Sequence, residues 1–150
     1  MNDVDASIEK AITKFQIVML YLNKEIIEMV NESSLTNLLS REQIEAMRII
    51  QTKGQVTINE LAGLQNIFKT AASNRLGKLE EMGYVQRAHS NNKRIKLVQL
   101  SLEGESFLKQ ATSAMSESVK NRLGNQFSLE EIEDFVNQLE RIDEAFRKSK

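Results

Sequence analysis

The middle of the chain is divided into short helices by two capping boxes, Ser40-x-x-Gln43 and Thr57-x-x-Glu60. In this pattern the hydroxyl accepts a hydrogen bond from the backbone three residues on, and the longer side chain bonds back to the cap. Each box precedes a stretch of apolar residues at helical spacing, which is how a helix start is marked in a sequence. No proline occurs anywhere in the chain to interrupt these helices.

Two glycines indicate where helices in this segment end. Gly54 predicts the end of a helix over 40–53, because glycine adopts the left-handed cap conformation without strain. A second, short helix is predicted for "TINELAGLQ". A third helix over 66–82 is stopped by Gly83. The segment is therefore predicted as a helix, a short helix and a longer helix.

Two strand-like runs, "YVQRA" and "RIKLVQL", follow the third helix and flank "HSNN". Asparagine tolerates left-handed backbone geometry and also hydrogen-bonds its own backbone, so Asn91-Asn92 suits a hairpin tip. Three helices followed by a hairpin is the order of a winged helix–turn–helix, in which the third helix lies in the DNA major groove. We therefore predict a mainly α fold with a small β-hairpin wing.

The third helix has two contrasting faces. The residues predicted to face inward are Ile67, Ala71 or Ala72, Leu76 and Leu79. The residues predicted to face outward are Lys69, Thr70, Ser73, Asn74 and Lys78. Because the outer set meets no carboxylate before Glu80, a phosphate backbone would not be repelled there. The alternative for this helix alone is an ordinary solvated amphipathic helix.

Positive charge is concentrated in the same segment. Between Lys69 and Lys96 there are seven basic residues and two acidic ones, a net charge of +5. The whole chain has a net charge of −1, so the remainder carries −6. This asymmetry indicates an anionic partner for the middle of the chain.

The two ends of the chain carry apolar stripes at the 3–4 spacing of a helix that packs along another helix. One predicted helix, over residues 5–31, carries Ile12, Phe15, Met19, Leu22, Ile26 and Met29. The other, over residues 128–148, opens with a Ser128–Glu131 capping box and carries Ile132, Phe135, Leu139, Ile142 and Phe146. The stripes fit either core packing within one chain or a helical dimer interface, and the second interpretation is favoured by their positions at opposite ends.

Composition excludes several other classes of protein. A hydrophobic content of 41% with 27% charged residues is typical of a folded globular chain. The absence of cysteine excludes disulfides and thiolate zinc sites, and one histidine leaves no nucleophilic triad, so we predict neither an enzyme nor a cofactor or metal. The longest apolar run, "IVMLYL", is far below the ~20 residues of a membrane span. Without a signal-peptide pattern, a cytoplasmic location is expected.

The segments "LEEMGYVQR" and "NNKRIKLVQLSLEG" resemble the MarR family of bacterial transcription regulators. The resemblance covers residues 40–104 by motif and the whole chain by helix order. The family pattern Leu-Glu-x-x-Gly-hydrophobic-hydrophobic-x-Arg is matched by Leu79, Glu80, Gly83, Tyr84, Val85 and Arg87. Members normally carry Asp-x-Arg in the wing, whereas this chain has Asn92, Lys93 and Arg94. The wing arginine is kept, and its acidic neighbour is replaced by a residue that can only hydrogen-bond.

The resemblance implies a single unit in which 39–104 form a DNA-binding lobe and 1–38 with 105–150 form dimerisation helices. It implies a homodimer on a pseudo-palindromic duplex operator, with the third helices in successive major grooves and Arg94 in the flanking minor groove. The DNA-binding residues are then expected to be Lys69, Thr70, Ser73, Asn74, Arg75, Lys78, Arg87, Asn92, Lys93, Arg94 and Lys96. The dimer interface is expected to contain Ile12, Phe15, Met19, Leu22, Ile132, Phe135, Leu139, Ile142 and Phe146.

The resemblance also implies regulation, with repression as the expected mode and release by a small phenolic or lipophilic anion. The apolar surface near Tyr21, with Met19 and Met47 as neighbours, is compatible with such a ligand pocket, and core packing explains it equally well. The alternative to DNA binding is a winged-helix module whose basic hairpin binds an acidic protein. Such a module would show no steep dependence of binding on salt.

Overall fold

The computed structural model describes residues 2–33 and 39–149. The elements of these residues are, in chain order, α1 (Asp3–Ser33), α2 (Arg41–Lys53), β1 (Val56–Thr57), α3 (Ile58–Gln65), α4 (Lys69–Glu81), β2 (Val85–Arg87), β3 (Leu97–Leu100), α5 (Leu102–Leu123) and α6 (Leu129–Lys148). The predicted fold class, mainly α with a small β-hairpin wing, is confirmed. Across the described helices, no stretch is both long and apolar enough to cross a membrane.

The chain divides into two compact units, Met1–Met115 and Ser116–Lys150. The first contains the three short helices and the sheet, and the second contains α6. The assignment of 1–38 and 105–150 to dimerisation and of 39–104 to a DNA-binding lobe stays a prediction. In those ranges, position 1, residues 34–38 and position 150 lie outside the described residues.

The first unit is built around one apolar core, to which every element from α2 to α5 contributes. Its largest fully buried side chains are Met47, Ile50, Leu61, Leu76, Leu79, Leu108, Val56 and Val98. Complete burial of an aliphatic side chain of this size contributes roughly 1.5–3 kcal/mol. Ile26, near the end of α1, is also buried in this core, so part of the α1 stripe packs within the chain.

The helix starts follow the capping chemistry closely. Ser40, Thr57 and Ser128 each accept a hydrogen bond from the third backbone amide of their helix, and all three capping boxes are complete. Gly54 ends α2 with φ of +83°, as predicted. The predicted start of the third helix is too early: Asn66 adopts a left-handed φ of 54° as the C-cap of α3, so α4 begins only at Lys69.

The sheet has three antiparallel strands in the order β1-β3-β2. The two hairpin strands agree with the prediction, although both are shorter than the quoted runs, whereas β1 was not predicted. Val56 pairs with Val98, and Val85 with Leu100, so the short β1 covers the second edge of β3. All four side chains are buried beneath the helices, and this pairing fixes the base of the wing.

The turn after α4 is fastened to the first turn of α5. The buried Ser101 donates its hydroxyl to the Gly83 carbonyl at 2.5 Å and accepts from the Gly104 amide at 3.0 Å. Its own amide donates to the Tyr84 carbonyl at 3.0 Å. A Cβ on Gly104 would overlap that same carbonyl oxygen, so only glycine fits this crossing. The end of α4 is therefore held in a fixed place.

Candidate nucleic-acid interface

The outer face of α4 is polar and exposed along its length. Ala72, Leu76 and Leu79 have no exposed surface and hold the helix onto the core, as predicted. The five residues predicted to face outward, Lys69, Thr70, Ser73, Asn74 and Lys78, lie on the opposite side and are accessible to solvent. The first turn of α4 carries no acidic residue, so the helix presents donors and positive charge to solvent without an opposing carboxylate.

The wing tip is held by side chain–backbone hydrogen bonds centred on Asn92. Its Oδ1 accepts from the Arg94 amide at 3.0 Å, and its carbonyl accepts from the Ile95 amide at 3.0 Å and from the Ser90 hydroxyl at 3.0 Å. Asn92 thus forms an Asx turn that fixes the backbone of Arg94. Of the two reasons given for asparagine at this tip, the backbone hydrogen bond is confirmed and the left-handed geometry is wrong, because among the described non-glycine residues only Asn66 has positive φ.

One open groove joins α4 to the wing. It has a volume of about 470 Å³ and is lined by Thr57, Ile58, Asn59, Lys69, Thr70, Ser73, Arg94, Ile95 and Lys96. Five of the eleven residues predicted to bind DNA therefore lie around one groove, although about 20 residues separate Ser73 from Arg94 in the sequence. The start of α3 forms a further part of its lining. An extended polyanion at this groove would meet cationic side chains from both α4 and the wing.

Arg75 differs from the other predicted contact residues, because its side chain is used inside the helix–turn–helix. Its guanidinium donates to Gln65 Oε1 at 2.6 Å, and Gln65 Nε2 donates to the Glu42 carbonyl at 3.0 Å and to the Glu45 carboxylate at 2.9 Å. This polar clamp links α2, the end of α3 and α4. The pKa of Glu42 is lowered by a backbone hydrogen bond, and by the charges of Arg41 and Arg75, against the opposite effect of desolvation.

Lys96 is also engaged. Its ammonium lies 3.2 Å from the Glu80 carboxylate, which ties the base of the wing to the last turn of α4. The remaining predicted cations, Lys69, Lys78, Arg87, Lys93 and Arg94, are accessible to solvent. Within residues 2–33 and 39–149, no carboxylate forms an ion pair with any of these five. They are the charges that an anionic partner can neutralise.

Three residues of this surface were missed by sequence reasoning. Asn59 in the first turn of α3 and Ile95 in the wing line the groove, and Phe68 stands exposed immediately before α4. Asn59 gave no signal, since a polar residue in a short helix is ordinary. Phe68 could have been found, because an aromatic residue directly before a polar helix start breaks the usual preference for a capping side chain.

The apolar residues predicted for the dimer interface are mostly exposed in this single chain. On α1 these are Ile12, Phe15 and Met19, with Leu22 partly buried, and on α6 they are Ile132, Phe135, Ile142 and Phe146, with Leu139 partly buried. Among the described residues, α6 has no buried side chain. The predicted effector residues differ in accessibility: Tyr21 is 65% exposed, and Met47 lies wholly inside the core.

Two curated relatives are similar in sequence. The chain is 38% identical over 85 residues to the uncharacterised HTH-type transcriptional regulator YdgG of Bacillus subtilis, a match over 55% of this chain and 56% of that protein. It is 31% identical over 98 residues to the uncharacterised HTH-type transcriptional regulator YwoH of the same organism, over 58% of this chain and 72% of that protein. The match with the first relative therefore spans little more than half of that protein's length.

The fold is shared with solved structures. A mutant of the E. coli protein MarR, in complex with operator DNA, superposes with a TM-score of 0.54 at 21% identity, over 88% of this chain and 95% of that one. The sequence model described as the MarR family matches residues 39–96, which include α2 to the wing and the whole groove. Together with the relative that the chain matches over 72% of its length, this match shows that the chain belongs to the MarR family.

Proposed function

We propose that the chain is a homodimeric transcription regulator, acting as a repressor, that binds a pseudo-palindromic DNA operator. The single observation that carries this proposal is the groove shared by α4 and the wing, where Lys69, Thr70, Ser73 and Arg94 lie together with no facing carboxylate in the first turn of the helix. Polar and cationic side chains of these types bind phosphates and base edges. Membership of the MarR family supports the same function.

In this proposal α4 enters the major groove and Arg94 reaches the adjoining minor groove. The N-terminal residues of a recognition helix are the ones that reach base edges, and those of α4 are Lys69, Thr70 and Ser73. Arginine favours a narrow, A·T-rich minor groove, where the negative potential is strongest. The Asx turn of Asn92 supports this use of Arg94, since it fixes the backbone from which the guanidinium projects.

The exposed stripes of α1 and α6 support the homodimer. Each contains several large apolar side chains that water contacts in the single chain, and contiguous exposed apolar surface of this kind usually marks an interaction site. Spacings of three and four residues suit helix-along-helix packing. A second copy supplies an identical stripe, and a two-fold dimer then matches the symmetry of a pseudo-palindromic operator.

The test of this function is a salt series on selected DNA. Duplexes bound by the purified protein are enriched from a random-sequence pool, and their dissociation constants are measured by fluorescence anisotropy between about 50 and 300 mM salt. With five unpaired cations on each protomer, log K should fall against log[salt] with a slope between about −4 and −9. A failure to enrich any sequence, or a slope near zero, would contradict DNA regulation and favour the acidic-protein alternative.

We also propose that a small phenolic or lipophilic anion weakens operator binding by contacting the accessible apolar surface of α1 at Met19 and Tyr21. Met47 is completely buried, so a ligand would touch it only after the surrounding core had opened. Salicylate is a suitable probe, and the measurement is the operator dissociation constant with and without it for wild type and Tyr21→Ala. Equal weakening of both proteins would contradict this ligand site.

A further inference from the structure

Phe68 is the most exposed aromatic side chain at the candidate interface, and it stands where a polar cap is expected. It is 85% exposed, above even Leu102 at 81% on another part of the same unit. Its backbone is extended and occupies the N-cap position of α4, and its side chain makes no capping hydrogen bond. Three other helices of the chain begin with complete capping boxes at Ser40, Thr57 and Ser128.

The helix start at Phe68 therefore lacks two stabilising contributions at once. A serine, threonine, asparagine or aspartate there would satisfy a free amide of the first turn. A phenyl ring cannot, and this one is not buried in compensation. A residue that breaks a local rule without an internal contact to offset it is expected at a functional site.

The position of Phe68 also limits what the ring can meet. It directly precedes Lys69 and Thr70, which line the groove between α4 and the wing. The left-handed Asn66 ends α3 and turns the chain, and Phe68 then begins the next helix at its exposed end. If α4 enters the major groove as proposed above, Phe68 lies at the leading end of that helix, where base edges are within reach.

The major-groove edges of the four bases are polar except at one place, the C5-methyl group of thymine. We infer that Phe68 is a specificity-determining residue that contacts a thymine methyl in each operator half-site. This inference rests on the proposed DNA-binding function and deepens it, because it names one base that the operator contains. The neighbouring Lys69 and Thr70 would position the ring through phosphate contacts that carry no sequence information.

The inference is tested by removing the methyl group from the DNA. In the selected operator, each thymine is replaced in turn by deoxyuridine, which lacks only the C5-methyl, and dissociation constants are measured for wild type and Phe68→Ala. At one thymine in each half-site, wild type should bind about fourfold more weakly, as expected for one lost apolar carbon contact. Phe68→Ala should bind the thymine duplex more weakly and should respond to that replacement by less than about 1.5-fold, because the ring that sensed the methyl is gone.

Leu102→Ala is the matched control, since it removes an equally exposed apolar side chain away from the groove; it should keep both the affinity and the methyl response. An equal response in wild type and Phe68→Ala overturns the inference, and so does the absence of any methyl-sensitive thymine. Weaker binding of Phe68→Ala to all sequences alike indicates a backbone contact and also overturns it. If wild type selects no sequence, the proposed function fails first, whereas selective binding without a Phe68-dependent response refutes this inference alone.

Discussion

The helices α4 and α6 are both amphipathic, but their apolar faces lie in opposite environments. In α4, Ala72, Leu76 and Leu79 are completely buried within the first unit. In α6, no described side chain is buried, and Phe135 is 54% exposed. Helix α4 is therefore held by its own chain and has only its polar face to offer, whereas α6 has an apolar face that nothing in its own unit covers.

This difference indicates the kind of partner that each helix takes. A helix whose stability comes from internal burial can present cations and small polar residues to a charged ligand. A helix with an uncovered apolar stripe is stabilised when a second apolar surface removes that stripe from water. We therefore expect binding through α4 to be electrostatic and salt-sensitive, and association through α6 to be apolar and nearly independent of salt.

The largest effect is expected from placing a charge in the stripe of α6. Phe135→Asp should abolish dimerisation at micromolar concentration, because an unpaired carboxylate would have to leave water. Operator affinity should then fall at least about 100-fold, since two linked half-site contacts become independent. Sedimentation equilibrium and anisotropy measure the two effects.

Asn137→Asp is the matched control for this change. It adds the same charge to the same helix at an exposed position outside the stripe, and it should leave the dimer intact. If Phe135→Asp remains dimeric while keeping its helical circular dichroism, the apolar stripe of α6 is not the dimer interface and the contrast with α4 is lost.

The next largest effect is expected at the wing. Arg94→Ala should weaken operator binding by about tenfold or more and reduce the salt slope, because a minor-groove cation is removed from each half-site. Dimerisation should not change. Lys148→Ala is the control: it removes an exposed cation of α6 that pairs with Glu144 within that helix, and it should have little effect on affinity. Equal affinities of the two variants in a gel-shift titration would refute the role of Arg94.

A third prediction separates the two faces within α4 itself. Arg75 belongs to the clamp with Gln65, so Arg75→Ala should lower the free energy of unfolding by about 1–2 kcal/mol. Lys78 has no ion-pair partner among the described residues, so Lys78→Ala should leave stability unchanged and reduce the salt slope. Urea unfolding and salt-dependent binding measure both variants. If Arg75→Ala is as stable as wild type, its clamp carries no weight and Arg75 returns to the set of DNA contacts.

Much of the fold follows from local chemistry that a sequence displays directly. Three capping boxes and Gly54 mark helix ends because each acts through residues only three or four positions apart. The predicted start of α4 was wrong because the left-handed Asn66 ends α3 without glycine. Strand β1 was missed because two residues give no periodicity, and they become a strand only by pairing with β3.

The candidate site was less predictable, because side-chain partners depend on elements distant in sequence. Charge and exposure identified Lys69, Ser73 and Arg94, which the structure gathers around one groove. The same charge count also included Arg75 and Lys96, whose partners Gln65 and Glu80 lie 10 and 16 residues away. The two alternatives for the apolar stripes divide along α1: Ile26 packs in the core, while Ile12 and Phe15 remain exposed.

The smallest effect is expected from Asn92, the residue that replaces the usual wing aspartate. Its Oδ1 accepts the Arg94 amide, and an aspartate could accept the same bond. Asn92→Asp should therefore keep the Asx turn and change operator affinity by no more than about twofold. Asn92→Ala should lose the turn and weaken binding about three- to fivefold, because the backbone that carries Arg94 must then be ordered on binding. Anisotropy with the selected operator measures both. If Asn92→Asp binds more tightly than wild type by about tenfold, the carboxylate acts on the Arg94 guanidinium and not only on its backbone, and the hydrogen bond seen here is an incomplete substitute for a charge pair.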